Sequence, residues 1–275
     1  MSSTSRSRRT RPASPPVSPA SRMARAADLA GDEVRRLATR PGVRRAVRRA
    51  GEVARGTASR LPRQRDEITL LASDLAGVAT TGILVDGAQA AQARRTARSL
   101  GLPRTMDSVS AWNALGALAA LIQVADDGRR RAVVIDASGP RSVFSRWATA
   151  AGFAPVALDV AEPEVVGERI DAGAADLVAL LYPRTVDPAD LDVELAHASR
   201  AVRKGGLVCS TVQLGPERTG GLGVADLRAF MARAGEQGLA TVGNLDLQDA
   251  ARARAAQSEH QDRPVGLALL TFRRT

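Results

Sequence analysis

From residue 132 onward the chain alternates short apolar, β-branched runs with helical stretches, and that alternation constrains the fold more than any other feature. The first run, Ala132-Val133-Val134-Ile135-Asp136, meets no polar residue before its closing acid. Such a strand suits the middle of a parallel sheet, where both faces are covered. Further runs follow at 154–158, 176–181, 207–212, 239–245 and 265–272. Helical stretches lie between them at 142–151, 163–171, 191–203 and 224–236, then a polar helix and loop at 248–264. Strands separated by helices of about 10–15 residues pack as βαβ units. The expected fold is therefore α/β, a doubly wound and mostly parallel sheet.

Charge divides the chain differently. Residues 1–65 hold 17 arginines against four acids, whereas residues 66–275 hold 22 basic against 25 acidic side chains, a net −3. A basic extension thus precedes a near-neutral domain. Residues 1–22 are Ser, Arg and Pro and are expected to be disordered. Residues 23–107 read as a helical N-terminal extension, with Pro41-Gly42 as a break. Within it, 67–78 reads as a helix, 82–87 as a short strand or turn, and 88–100 as a helix stopped by Gly101 and Pro103. The α/β domain spans 108–275. Its first helix, 111–124, repeats Trp112, Leu115 and Leu118 at helical spacing, with Ser108 or Ser110 as its cap.

Arginines without aromatics suit nonspecific contact with a polyanion, either nucleic acid or an anionic membrane surface, through residues 1–65. A solvated helix and tail is the plainer alternative. The N-terminus has no apolar segment of a secretory signal, although its Arg/Ser richness is shared by organelle transit peptides. No transmembrane segment is expected: the uncharged run 108–125 reaches spanning length but is diluted by Ser108, Ser110, Asn113 and Gln123. A cytoplasmic location follows as the expectation. One cysteine, Cys209, and two histidines, His197 and His260, predict neither a disulfide framework nor a metal site. Cys209 reads as core, His197 as a helix-surface residue, and His260 as part of a polar loop.

In doubly wound sheets ligands bind beyond the carboxyl ends of the strands, where strand order reverses. The loop Ala137-Ser138-Gly139-Pro140-Arg141 after Asp136 lies at such a point, ahead of a helix capped by Ser142. Asp136 either faces a cofactor there or caps its own loop. The second strand ends at Asp159, where a carboxylate can accept both hydroxyls of an adenosine ribose. Leu181-Tyr182-Pro183-Arg184 follows the fourth strand, and Tyr182 is the chain's one tyrosine.

The order of these pieces resembles the class I S-adenosylmethionine-dependent methyltransferases. The matching segments are Val133-Val134-Ile135-Asp136-Ala137-Ser138-Gly139, Ala157-Leu158-Asp159, Ala175-Asp176-Leu177-Val178, and above all Ala198-Ser199-Arg200-Ala201-Val202-Arg203-Lys204-Gly205-Gly206-Leu207-Val208, which resembles the family's helix, Gly-Gly turn and fifth strand. The resemblance covers about 108–275 and implies a Rossmann-like sheet with an antiparallel last strand. It also implies S-adenosylmethionine as cofactor, held by Asp136, Ala137, Ser138, Gly139, Asp159, Leu181 and Tyr182. It names no catalytic residue and no methyl acceptor, since methyl transfer depends chiefly on in-line positioning.

Two departures stand out. The family's glycines after the first acid fall here on Ser138, Pro140 and Ser142, leaving Gly139. Only 16 residues separate Asp159 from Asp176, so the third strand is expected to be very short or missing. The first hypothesis is therefore a methyltransferase of unknown acceptor. The second is a non-catalytic methyltransferase-fold binding or assembly module whose basic extension recruits a polyanion. A nicotinamide-type Rossmann protein is disfavoured because no G-x-G-x-x-G follows the first strand.

Overall fold

The run ending at Asp136 becomes an inner strand of a seven-stranded sheet. A computed structural model of the chain describes residues 68–158, 172–182, 185, 187–215, 221–259 and 266–275. In chain order the elements are a 3-10 turn (Ala72–Leu75), β1 (Gly82–Leu84), α1 (Gly87–Ser99) and α2 (Ser108–Ala120). A π-helical turn (Leu121–Ala125) follows, then β2 (Val134–Asp136), α3 (Val143–Ala150), β3 (Val156–Ala157) and β4 (Ala175–Leu180). The rest is α4 (Pro188–Ala201), β5 (Val202–Gln213), α5 (Val224–Glu236), β6 (Leu239–Thr241), α6 (Leu247–Glu259) and β7 (Leu267–Arg274).

Strand order is β1-β7-β5-β4-β2-β3, with β6 also on β7. β3, β2, β4 and β5 are parallel, and β7 is antiparallel to β5, β6 and β1. Moving along the chain from β2, the next strand lies on one side and β4 on the other, so strand order reverses at β2. This is the expected doubly wound, mostly parallel, Rossmann-like arrangement with its last strand antiparallel. β3 has two residues, and beyond it no further strand is paired among the described residues. Residues 159–171, including the expected helix at 163–171 and Asp159, lie outside the described residues, as do residues 1–67 and His260.

Alternate strand residues serve opposite faces. Val134, Leu177, Ala179, Leu207 and Cys209 join α1, α2 and α3 in one core. Ile135, Val178, Val208, Leu270 and Phe272 join α4, α5 and α6 in the other. The uncharged run 108–125, long and apolar enough by composition to cross a membrane, is α2 and its π-helical extension. Leu118 and Leu121 are fully enclosed in the first core. Each buried leucine there contributes about 2 kcal/mol.

Residues 68–107 are built into this same fold. β1 pairs with the first half of β7, and α1 packs Ala90, Ala93 and Ala97 inward. The strand alternative at 82–87 is thus the one adopted. The helix expected over 67–78 is instead one 3-10 turn, closed by Asp74 accepting from the Leu71 amide at 2.8 Å. Gly77 follows two residues after the turn ends. The strands expected at 239–245 and 265–272 run 239–241 and 267–274, with Gly243 at φ 86° ending the former.

Lys204-Gly205-Gly206 is a bulge within β5 rather than a turn before it. The β4–β5 register shifts between Ala175 and Leu177. Gly205 takes φ 78°, and a Cβ at Gly206 would stand 2.9 Å from the Arg203 carbonyl oxygen, so both positions require glycine. Asp176 secures the place. One carboxylate oxygen accepts from the Val133 amide at 2.7 Å, and the other pairs with the Arg203 guanidinium.

Candidate functional site

The reversal at β2 puts the carboxyl ends of β2 and β4 side by side, and the Ala137 amide donates to the Ala179 carbonyl at 3.0 Å. The loop after β2 is held from within by Asp136, which is fully buried. Its Oδ1 accepts from the Ser138 amide at 2.9 Å, and its Oδ2 accepts from the hydroxyls of Ser142 and, at 2.7 Å, Ser145. Ser142 Oγ also accepts from the Ser145 amide at 2.8 Å and so caps α3, as expected from sequence. The enclosed carboxylate of Asp136 thus holds the loop, the plainer of the two roles open to it.

Gly139 turns this loop at φ 93°, and nothing lies within 4 Å of where its Cβ would be. Ser138, Gly139, Pro140, Arg141 and Ser142 form one wall of an open cleft of about 510 Å³, and Tyr182 forms the other. Of the two serines that stand where the resemblance has glycines, Ser142 is tied into the loop through its hydroxyl and Ser138 through its backbone amide.

The sequence-predicted residues separate into distinct roles here. Ser138, Gly139 and Tyr182 line the cleft. Ala137 sits at the strand end, half-buried. Leu181 is 1% exposed, and its side chain belongs to the first core. His197 lies half-buried on α4, and Cys209 is buried in β5.

The helix α2 supplies what the sequence reading missed. Its cap is Asp107, not Ser108 or Ser110; Asp107 Oδ1 accepts from the amides of Val109 and Ser110 at 2.9 and 3.2 Å. Ser110 instead faces β4: its hydroxyl donates to Asp107 Oδ2 and accepts from the Tyr182 hydroxyl at 2.6 Å. One turn on, Asn113 Nδ2 donates to the Leu181 carbonyl at 3.3 Å, while Asn113 Oδ1 is buried and without a partner. Asp107, Ser110 and Asn113 recur every third residue, a polar stripe on an otherwise apolar helix. That periodicity was the available signal.

The stripe shapes the behaviour of Tyr182. Partial burial pushes its phenol above the usual 10.0; the Ser110 hydrogen bond opposes this, and the carboxylates of Asp107 and Asp136 add to it. The phenol stays neutral near pH 7, donating to Ser110 and keeping its lone pairs for whatever enters the cleft.

No known protein family matches the chain, and no curated protein is similar to it. Solved structures that share its outline include methyltransferases. The Burkholderia thailandensis 1,6-didemethyltoxoflavin-N1-methyltransferase with bound 1,6-didemethyltoxoflavin and S-adenosylhomocysteine has 14% identity, covering 69% of this chain and 80% of its own, at a TM-score of 0.37. An S-adenosylmethionine-dependent methyltransferase from Mesorhizobium loti has 18% identity, covering 59% of this chain and 98% of its own, at 0.34. The CurJ carbon methyltransferase has 12% identity, covering 66% of this chain and 58% of its own, at 0.38.

Proposed function

We propose that the protein is a class I-type S-adenosylmethionine-dependent methyltransferase, with its cofactor in the cleft between the Ser138–Ser142 loop and Tyr182. The observation that carries this reading is topological. A sheet ordered β3-β2-β4-β5-β7, with β7 reversed, opens its ligand crevice at the β2 switch point, and the cleft lies there. The residues present fit a nucleoside-type group. Gly139 leaves open space where a Cβ would stand, so backbone can approach a ligand closely.

Bound S-adenosylmethionine would supply an electrophilic methyl group. The chain's own residues would position the reactants. Asp136 holds the loop in shape without touching the ligand, and Ser138 and Gly139 present backbone to it. Tyr182, fixed by Ser110, offers an oxygen lone pair to a donor on the acceptor. Asn113 fixes the strand end behind Tyr182. Asp159 enters through the sequence resemblance alone, as the ribose acceptor. Polyanion contact by residues 1–65 belongs to the proposal on the strength of their 17 arginines.

Calorimetry with S-adenosylhomocysteine tests the reading. Saturable binding is expected, weakened by Tyr182→Ala and abolished by Asp159→Ala. Ligand at 100 times its dissociation constant should stabilise the fold by about 2.7 kcal/mol. No heat and no thermal shift at millimolar ligand would overturn it. That outcome would favour a non-catalytic binding module, the reading supported by serine and proline side chains in place of the loop glycines.

A further inference from the structure

A band of arginines leads to the mouth of the cleft. Arg94, Arg95 and Arg98 lie on α1, Arg104 in the loop between α1 and α2, and Arg141 and Arg146 at the start of α3. All but the half-buried Arg94 are exposed. Hydrogen bonds tie α1 and α3 to the loop that carries Arg104, and the Arg95 guanidinium donates to Gln92 Oε1 on its own helix. Arg94 donates to the Met106 carbonyl at 2.9 Å, Arg146 donates to the Arg104 carbonyl at 3.4 Å, and the Trp147 indole anchors the same loop through the Pro103 carbonyl at 2.8 Å. Arg146 is close enough to Tyr182 to act on its phenol electrostatically, and Arg141 shares the cleft wall opposite it.

Among the described residues none of these six arginines pairs with a carboxylate, nor do Arg131, Arg200, Arg228, Arg273 and Arg274 elsewhere, whereas Arg129, Arg130, Arg203, Arg233 and Arg252 each face an aspartate. Asp107, the acid in the band, is occupied by two amides and the Ser110 hydroxyl. The band is thus a positive strip on a domain whose residues 66–275 are net −3. Two large hydrophobic side chains are exposed along it, Met106 at 89% and Tyr182 at 43%.

We infer that this band is a docking track for single-stranded nucleic acid, its phosphates on the arginines and one base stacked on Tyr182 at the cleft. Unpaired arginines suit phosphates, and an exposed ring at the end of the track offers a base a stacking face. A single strand fits where a duplex does not, because a base held in a stack cannot reach a cleft at a strand end. Two apolar side chains are too few to anchor the band in a bilayer. Binding along the band stands on its own; that the strand delivers the methyl acceptor rests on the methyltransferase reading.

The test uses the full chain and a fluorescein-labelled, mixed-sequence RNA of about 12 nucleotides, with matched DNA, a duplex, heparin and phosphatidylserine vesicles as further probes. Arg95, Arg98 and Arg104 lie away from the cleft, and none of them braces the backbone. The R95Q/R98Q/R104Q variant should lower the slope of log K against log salt by about 2, at ~0.7 per lost phosphate contact. The matching Arg→Lys triple should restore it, and a like response from the matched DNA would place recognition in the phosphates and bases. Tyr182→Ala should weaken RNA binding about tenfold and leave heparin binding unchanged.

An unchanged salt slope in the glutamine triple would overturn the inference. So would equal binding of duplex and single strand without dependence on Tyr182, or arginine-dependent binding of vesicles in place of RNA. S-adenosylhomocysteine titration of the glutamine triple separates the two readings. Retained cofactor binding with lost RNA binding isolates the band, and RNA binding without cofactor binding in the wild type defeats methyl transfer alone.

Discussion

The Tyr182 hydroxyl donates to Ser110 Oγ across 2.6 Å, joining the end of β4 to the first turn of α2. Two elements 72 residues apart thereby fix the orientation of the one exposed ring in the cleft. The same contact ties Tyr182 to Asp107 through Ser110, so a charge outside the cleft influences a phenol inside it.

Because Tyr182 is the chain's one tyrosine, absorbance at the phenolate band reads it alone. Its midpoint should lie above the ordinary 10.0, chiefly because the ring is partly buried. Ser110→Ala removes a hydroxyl that can turn from Asp107 to donate to the phenolate, and should raise the midpoint further. Asp107→Asn removes a repelling charge and should lower it. Equal midpoints in all three proteins would mean that the Tyr182–Ser110–Asp107 chain does not form.

Thr81 closes a gap in the outer edge of β7. β1 pairs with Leu267–Leu269 and β6 with Phe272–Arg274, leaving Leu270 and Thr271 between them. The Thr81 hydroxyl accepts the Thr271 amide at 3.0 Å and donates to the Val242 carbonyl at 2.6 Å. Thr81→Val keeps the shape and strands both groups, so it should cost about 1–3 kcal/mol in urea unfolding. Thr81→Ser should recover most of that loss. The Thr271 amide should exchange with solvent faster in the valine variant.

Cys209 makes stability sensitive to alkali. Burial pushes its thiol from 9.0 up to about 12, with the Thr271 hydroxyl, 3.6 Å away, opposing the shift. The folded state keeps the proton that the unfolded chain releases. Its stabilisation is complete below about pH 9 and is lost as pH rises towards about 12, by up to about 1.4 kcal/mol per pH unit. Cys209→Ala should flatten that part of the stability profile, and a thiol reagent should leave the folded wild type unmodified.

Much of this was legible in sequence because it depends on local pattern. The apolar runs at 132–136 and 176–181 became β2 and β4, and Ser142 is the cap its position suggested. What escaped depends on distance in the chain. Val85-Asp86-Gly87 signals a break, but that Gly82–Leu84 joins β7 follows from a pairing across more than 180 residues. In sequence Ser110 reads as a possible cap and Asn113 as a polar interruption of an apolar run, until the end of β4 arrives beside them. Asp136 showed the opposite ambiguity. An acid at a strand end suits a ligand or its own loop equally, and the bonds from Ser142 and Ser145 favour the loop.

That decision has a measurable consequence. Were Asp136 in contact with the cofactor, the Ser145 hydroxyl behind it would be irrelevant to binding, and Ser145→Ala would leave S-adenosylhomocysteine affinity intact. Since Asp136 holds the loop, both Ser145→Ala and Asp136→Asn remove bonds that keep Ser138 and Gly139 in place. Each lost bond is worth about 1 kcal/mol, or roughly fivefold in a dissociation constant when loop order is what it secures. Ser145→Ala should therefore weaken binding about fivefold and Asp136→Asn by at least as much. The double variant should fall short of the product, because the two act through one network. Calorimetry on the four proteins at one pH measures this, and undiminished binding by Ser145→Ala would return Asp136 to the ligand.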